Sequence, residues 1–158
     1  YFSIFYSYLL YGCLVWSYTS QNNIERLTKL QKRCTRLLTF SEFLAHTNPL
    51  YYQLQILKIT DIFTFQKIIF MLETFKGTTP VELQNLFVSN KNIHSYATRS
   101  RELLHFSKCN TTKYGLNSIS YDCAKVWNDF YPQFYQNNIF EKGPVKDFMK
   151  TFFLNKYI

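Results

Sequence analysis

The sequence predicts a mainly α-helical protein, and three observations carry that expectation. Apolar residues recur at a 3.6-residue period through most of the chain. Turn signals are few, with only 4 Gly and 4 Pro in 158 residues. Only residues 88–114 lose the helical period. A chain of this length is long enough to bury a real core. The expected architecture is about six to seven helices, with room for one small strand pair near 103–114. The expected organisation is a helical region over residues 1–87 and a C-terminal helical segment over 88–158 packed on it, or a single domain.

The opening run, "YFSIFYSYLLYGCLVWSY", predicts a buried helix over about 2–18 with Gly12 tolerated inside it. Its 18 uncharged residues approach the minimum for a membrane span, yet five are Tyr and three are Ser, too polar for one. No charged segment precedes it as in a signal peptide. A start without Met suits a truncated copy of a longer protein. "SQNN" (20–23) is a turn, and Asn22 or Asn23 can cap the next helix. That helix, about 23–39, has Ile24, Leu27, Leu30, Gln31, Cys34, Leu37 and Leu38 on one side. Arg26, Lys29, Arg33 and Arg36 follow i, i+3, i+7, i+10 on the other, with Lys32 beside them.

Asn48 and Pro49 then suit the start of a short helix over 49–57. Thr60 or Asp61 opens a helix over 60–76 that Gly77 stops. This one is apolar nearly all round, which predicts the central core helix. A short helix follows Pro80. Short strands are expected at 103–107 and 111–114. A helix over about 117–130 should stop at Pro132, and a last amphipathic helix covers 143–157. The expected core contains Leu9, Leu14, Trp16, Leu27, Leu30, Leu37, Ile62, Phe63, Ile69, Leu72, Trp127 and Phe148.

Composition narrows function. The formal charge of +8 suits a polyanionic partner, either nucleic acid or an anionic membrane surface. The excess is spread along the chain: 8 basic against 4 acidic residues in 1–80, and 10 against 6 in 81–158. Cys13, Cys34, Cys109 and Cys123 form no CxxC pair and have no histidine at metal-ligand spacing. They read as reduced thiols of an intracellular protein, in nucleus or cytoplasm. No carboxylate cluster suited to two metal ions occurs, and no phosphate-loop, zinc-protease or nucleophile-elbow motif. His46, His94 and His105 are isolated. Cys123 beside Asp122 fits helix packing better than nucleophilic chemistry.

The one-signed stripe Arg26, Lys29, Lys32, Arg33, Arg36 is the strongest functional candidate. Ordinary solvent faces interleave acids for i,i+4 pairing. Lys and Arg along one face instead suit contact with a phosphate backbone. Arg99 and Arg101, with His94 and Tyr96 nearby in "IHSYATRSRELL" (93–104), form a second basic cluster. It suits phosphate contact and stacking on a single strand or hybrid, or a structural loop whose Arg side chains bond helix-end carbonyls.

Several phrases occur in an order that resembles one family: "SYLLYGCLVWS" (7–17), "NIERLTKLQKRCTRLLTF" (23–40), "FLAHTNPLYYQLQILKITDIFTFQKIIFML" (43–72), "IHSYATRSRELL" (93–104), "KYGLNSISYDCAKVWNDF" (113–130) and "VKDFMKTFFLNKY" (145–157). Together they resemble the thumb and post-thumb, C-terminal region of jockey-type non-LTR (LINE-like) retrotransposon reverse transcriptases. The resemblance implies a noncatalytic, thumb-like part of an RNA-directed DNA polymerase. Its palm carboxylates and their Mg²⁺ would lie elsewhere in the polyprotein, so no active-site residue, metal ligand or cofactor carries over to this chain. The cysteine spacing does not support the zinc knuckle of some relatives. The implied partners are RNA or an RNA–DNA hybrid and the fingers and palm of the same polyprotein, with no membrane and no small-molecule substrate. The implied contacts are Arg26, Lys29, Lys32, Arg33 and Arg36, joined by Arg99 and Arg101. The alternative is a structural or protein-interaction module with no nucleic-acid contact, using exposed aromatics such as "FYPQFY" (130–135).

Overall fold

The computed structural model describes residues 1–96, 98–106, 108–137, 139–140 and 142–158, with the side chains of Lys113 and Lys142 left aside. The fold is mainly α, in the order α1 (Ser7–Leu10), α2 (Cys13–Trp16), α3 (Gln21–Leu38), α4 (Thr47–Gln53), α5 (Ile59–Phe75), α6 (Val81–Gln84), α7 (Ile119–Gln136) and α8 (Lys142–Asn155). A π-helical turn, Phe2–Tyr6, leads into α1.

The first segment is not the single helix that its apolar run predicts. Tyr11 turns extended and Gly12 adopts a left-handed φ of 61°, which breaks the run into α1 and α2. Glycine enters this conformation without the steric penalty of a Cβ. α3, α5 and α8 form close to their expected bounds. Gly77, at φ 71°, ends α5 in a left-handed turn where Thr78 N–H reaches the Glu73 carbonyl at 3.1 Å.

Pro132 does not stop its helix. It lies inside α7, which continues to Gln136. Proline removes one backbone donor, but the helix beyond it is held by side chains. Phe134 is fully buried, and Phe130–Phe134 and Tyr131–Tyr135 stack one turn apart at 6.1 and 6.2 Å. The run "FYPQFY" is therefore partly core, not an exposed aromatic surface, although Tyr135 is exposed.

The strand pair near 103–114 is also absent among the described residues; Ser107, at the end of the first expected strand, lies outside them. Leu104 makes an isolated antiparallel bridge with Ser89, and Thr112–Leu116 is a π-helical turn. Asn128 occupies the backbone groups that a strand partner would have needed. Its side chain accepts from Leu104 N–H and donates to the Leu104 carbonyl, both at 2.9 Å.

Packing divides the chain into two compact units, Tyr1–Gln66 with Lys146–Ile158, and Lys67–Val145. The sequence-based division at 87/88 falls inside the second. In the first unit, Leu9, Ile24, Tyr51, Ile59, Ile62, Phe63, Met149 and Phe153 are buried. Trp16 meets Phe63 edge-on at 5.1 Å. In the second, Ile68, Ile69, Met71, Leu72, Trp127 and Phe134 are buried, and Phe75 lies 4.9 Å from Trp127. Lys67 and Asp122, both largely shielded, pair at 2.5 Å there. Full burial of each large aliphatic or aromatic side chain contributes about 1.5–3 kcal/mol.

The expected core holds for Leu9, Ile62, Phe63, Ile69, Leu72 and Trp127. Leu14, Trp16, Leu27 and Phe148 are half-buried. Leu30 and Leu37 are not core: they are 50% and 76% exposed.

Candidate functional site

The seam that α3 turns inward is narrow and partly polar: Ile24, Gln31 and Thr35. Gln31 explains why a polar side chain can hold that place. Its Nε2 donates to the Tyr1 hydroxyl at 2.9 Å and to the Leu57 carbonyl at 2.8 Å. Its Oε1 accepts from Ile59 N–H at 3.0 Å and from the Tyr51 hydroxyl at 3.3 Å. Ile59 N–H opens α5 and lacks a partner within its own helix, so Gln31 satisfies it from a neighbouring element. Burial raises the Tyr1 and Tyr51 hydroxyls to about 12 each, with the Gln31 bond opposing that shift at Tyr1.

This inward seam fixes what faces out. Arg26, Lys29, Lys32 and Arg33 are exposed along α3, and Arg36 is half-buried. The helix carries one acid, Glu25, whose carboxylate accepts from Gln21 at 3.4 Å. Among the described residues, the ion pairs are Lys67–Asp122 and Lys91–Glu102, and neither involves this face. Arg36 has a second task. Its Nε donates to the Ala45 carbonyl at 2.9 Å and holds the 41–46 turn against the helix end.

Leu30 and Leu37 join the basic face instead of the core. Successive ridge neighbours on a helix are three or four residues apart. Arg26, Leu30, Arg33 and Leu37 therefore form one ridge that alternates cation and apolar side chain. It ends at a cavity of about 490 Å³ lined by Arg33, Arg36, Leu37, Ser41 and Phe43. The sequence assigned both leucines to the buried stripe because apolar period alone does not mark where a seam stops. The buried seam follows Ile24 and Gln31, both placed on that side by the period, and Thr35, which the period does not place there.

Arg99 and Arg101 belong to the second unit, where both are exposed. Their backbone is folded back on residues 89–91. Lys91 N–H donates to the Arg101 carbonyl at 3.0 Å, and Asn90 N–H to the Leu103 carbonyl at 3.0 Å. His94 and Tyr96 stack at 6.4 Å in the same segment. Ala97, within the quoted motif, lies outside the described residues.

The catalytic candidates weighed from sequence have unremarkable settings. Cys123 is fully buried, and His46, His94 and His105 are exposed. Among the described residues no group of three or more His, Cys, Asp or Glu could hold a metal ion. Nor is any helix there long and apolar enough to cross a membrane. No protein-family model, curated protein or solved structure matches the chain.

Proposed function

We propose that this chain binds RNA or an RNA–DNA hybrid through the outward face of α3, as a noncatalytic, C-terminal, thumb-like part of an RNA-directed DNA polymerase of the jockey-type non-LTR retrotransposons. The observation that carries the binding is the run of exposed cations Arg26, Lys29, Lys32 and Arg33 on one 18-residue helix, with no carboxylate paired to them among the described residues. An unpaired one-signed face keeps its charge available to phosphates, and each contact releases condensed counterions. The order of the sequence phrases from "SYLLYGCLVWS" (7–17) to "VKDFMKTFFLNKY" (145–157) supports the polymerase assignment. The role is positioning and grip, without sequence readout, because these are phosphate contacts. Arg99 and Arg101 are proposed as further phosphate contacts.

The test is binding of a fluorescently labelled RNA–DNA hybrid by the chain and by a variant with Arg26, Lys29, Lys32 and Arg33 all changed to Gln. Arg36 is spared because it also holds Ala45. The variant should lose most of its affinity while keeping its helical circular dichroism. Equal affinity in the two proteins contradicts the assignment.

A second reading has its own observation. Ile4 and Tyr8 are exposed and line an apolar cavity of about 570 Å³ with Phe5, Leu9, Trp16 and Leu27, among others, and Tyr11 and Val15 of the same segment are exposed. Large exposed apolar patches suit protein contact, as a structural or interaction module would provide.

A further inference from the structure

Three helices end in the same left-handed turn, and one of the three is anomalous. After α5 the left-handed residue is Gly77. After α4 it is Gln55, φ 54°, whose own amide donates to the Tyr52 carbonyl at 2.9 Å. After α3 it is Phe40, φ 51°, with its side chain 97% exposed. A bulky side chain in this conformation is strained. Neither burial nor a local side-chain bond compensates for the ring. The turn itself is well tied: Ser41 N–H donates to the Arg36 carbonyl at 3.0 Å, and the Thr39 and Ser41 hydroxyls are 2.7 Å apart. The result is an aromatic ring held in solvent by a fixed turn.

Phe40 does not stand alone. Phe43 is 71% exposed three residues later and lines the cavity that Arg33 and Arg36 also line. The charged residues in the cavity wall are Arg33 and Arg36, and Glu42 is the one acid of the 40–46 segment. The Phe43 ring lies in the wall of a cavity shared with two arginines, and the exposed Phe40 ring stands in the adjoining turn, an arrangement that suits a base that has left its stack next to a phosphate. A purely apolar protein segment would leave the Arg33 guanidinium in that wall without a partner.

We propose that the cavity at the end of α3 takes an unstacked base from a single-stranded stretch of nucleic acid, with the Phe40 and Phe43 rings as stacking platforms and Arg33 on the adjoining phosphate. This rests on the nucleic-acid reading of α3 and names its substrate class: a hybrid that carries a single-stranded overhang, in preference to a blunt one.

The experiment compares three proteins, the unaltered chain, Phe40→Gly and Phe43→Ala, against a blunt RNA–DNA hybrid and the same hybrid with a short RNA overhang, by fluorescence anisotropy. The unaltered chain should bind the overhang form roughly tenfold more tightly, the range expected for one stacked base. Phe40→Gly and Phe43→Ala should each reduce that preference and leave blunt-hybrid binding unchanged. Phe40→Gly should also keep or raise the melting temperature, since glycine suits the turn, so lost binding cannot be misread as unfolding. Equal affinity for the two hybrids, or a preference that survives both substitutions, overturns the base site while leaving the basic-face assignment intact. Failure to bind either hybrid overturns both. Loss of a concentration-dependent self-association in Phe40→Gly, with hybrid binding unchanged, makes the patch a protein interface and also overturns the proposal.

Discussion

Gln31 occupies a position where the core would ordinarily take a leucine, and it makes four hydrogen bonds there. Replacing it with Leu keeps the volume but strands the Leu57 carbonyl and Ile59 N–H. Each buried group left unsatisfied costs about 1–3 kcal/mol, so Gln31→Leu should lose roughly 2–4 kcal/mol in chemical denaturation; a change under about 0.5 kcal/mol contradicts the role. Asp61 is a second informative residue. Burial raises its carboxyl above the usual range, opposed by the Tyr157 hydroxyl that bonds it and by Lys58 and Lys156. The folded state thus holds that proton more tightly than the unfolded chain. Stability from this group is fully present below the ordinary carboxylate pKa of about 4 and is lost as pH rises through the folded value. Asp61→Asn should flatten that fall in a pH series of unfolding measurements. Parallel profiles for the two proteins would count against it. Burial shifts Tyr157 upward as well, and its hydroxyl also accepts from Lys58 N–H at 3.0 Å.

At the scale of elements, what was legible in the sequence depended on how strongly a single force decided the outcome. The helix over 60–76 is apolar nearly all round, and burial alone explains α5. The stop at Gly77 follows from left-handed backbone chemistry. The break at Gly12 did not declare itself, because glycine in an apolar run is compatible with either a continuous helix or a turn. Its φ of 61° now gives it a test. A Cβ there would meet only Trp16 Cδ1, at an ordinary 3.7 Å, so backbone conformation rather than space opposes substitution. Gly12→Ala should destabilise by about 1–2 kcal/mol; an unchanged melting temperature contradicts the turn. Pro132 misled in the other direction, because the aromatic packing of Phe130, Tyr131 and Phe134 outweighs one missing donor. The seam of α3 was half legible: its basic residues were placed outward as expected, whereas Leu30 and Leu37 were drawn into the wrong side by their periodicity. Phe40 left no signal, since phenylalanine is among the last residues expected in a left-handed turn.

Across the whole molecule, the mainly α class follows from periodicity and scarce turn residues, whereas the two compact units do not. They depend on α8 residues from Lys146 onward joining the N-terminal elements. Such long-range pairing has no local sequence mark. Its anchor is Tyr157, which meets Tyr51 at 6.1 Å and carries Lys58 Nζ 4.1 Å above its ring. The functional consequence rests on α3, which one unit holds by Gln31 on its inner side while its outer side carries the charge. The most direct test is the salt dependence of hybrid binding. Log Kobs should fall linearly against log salt concentration, with the four phosphate contacts of Arg26, Lys29, Lys32 and Arg33 contributing about −3 to −4 to the slope. In the variant with all four changed to Gln the slope should be shallower by that amount, leaving only what Arg99 and Arg101 contribute. Equal slopes in the two proteins would contradict the account.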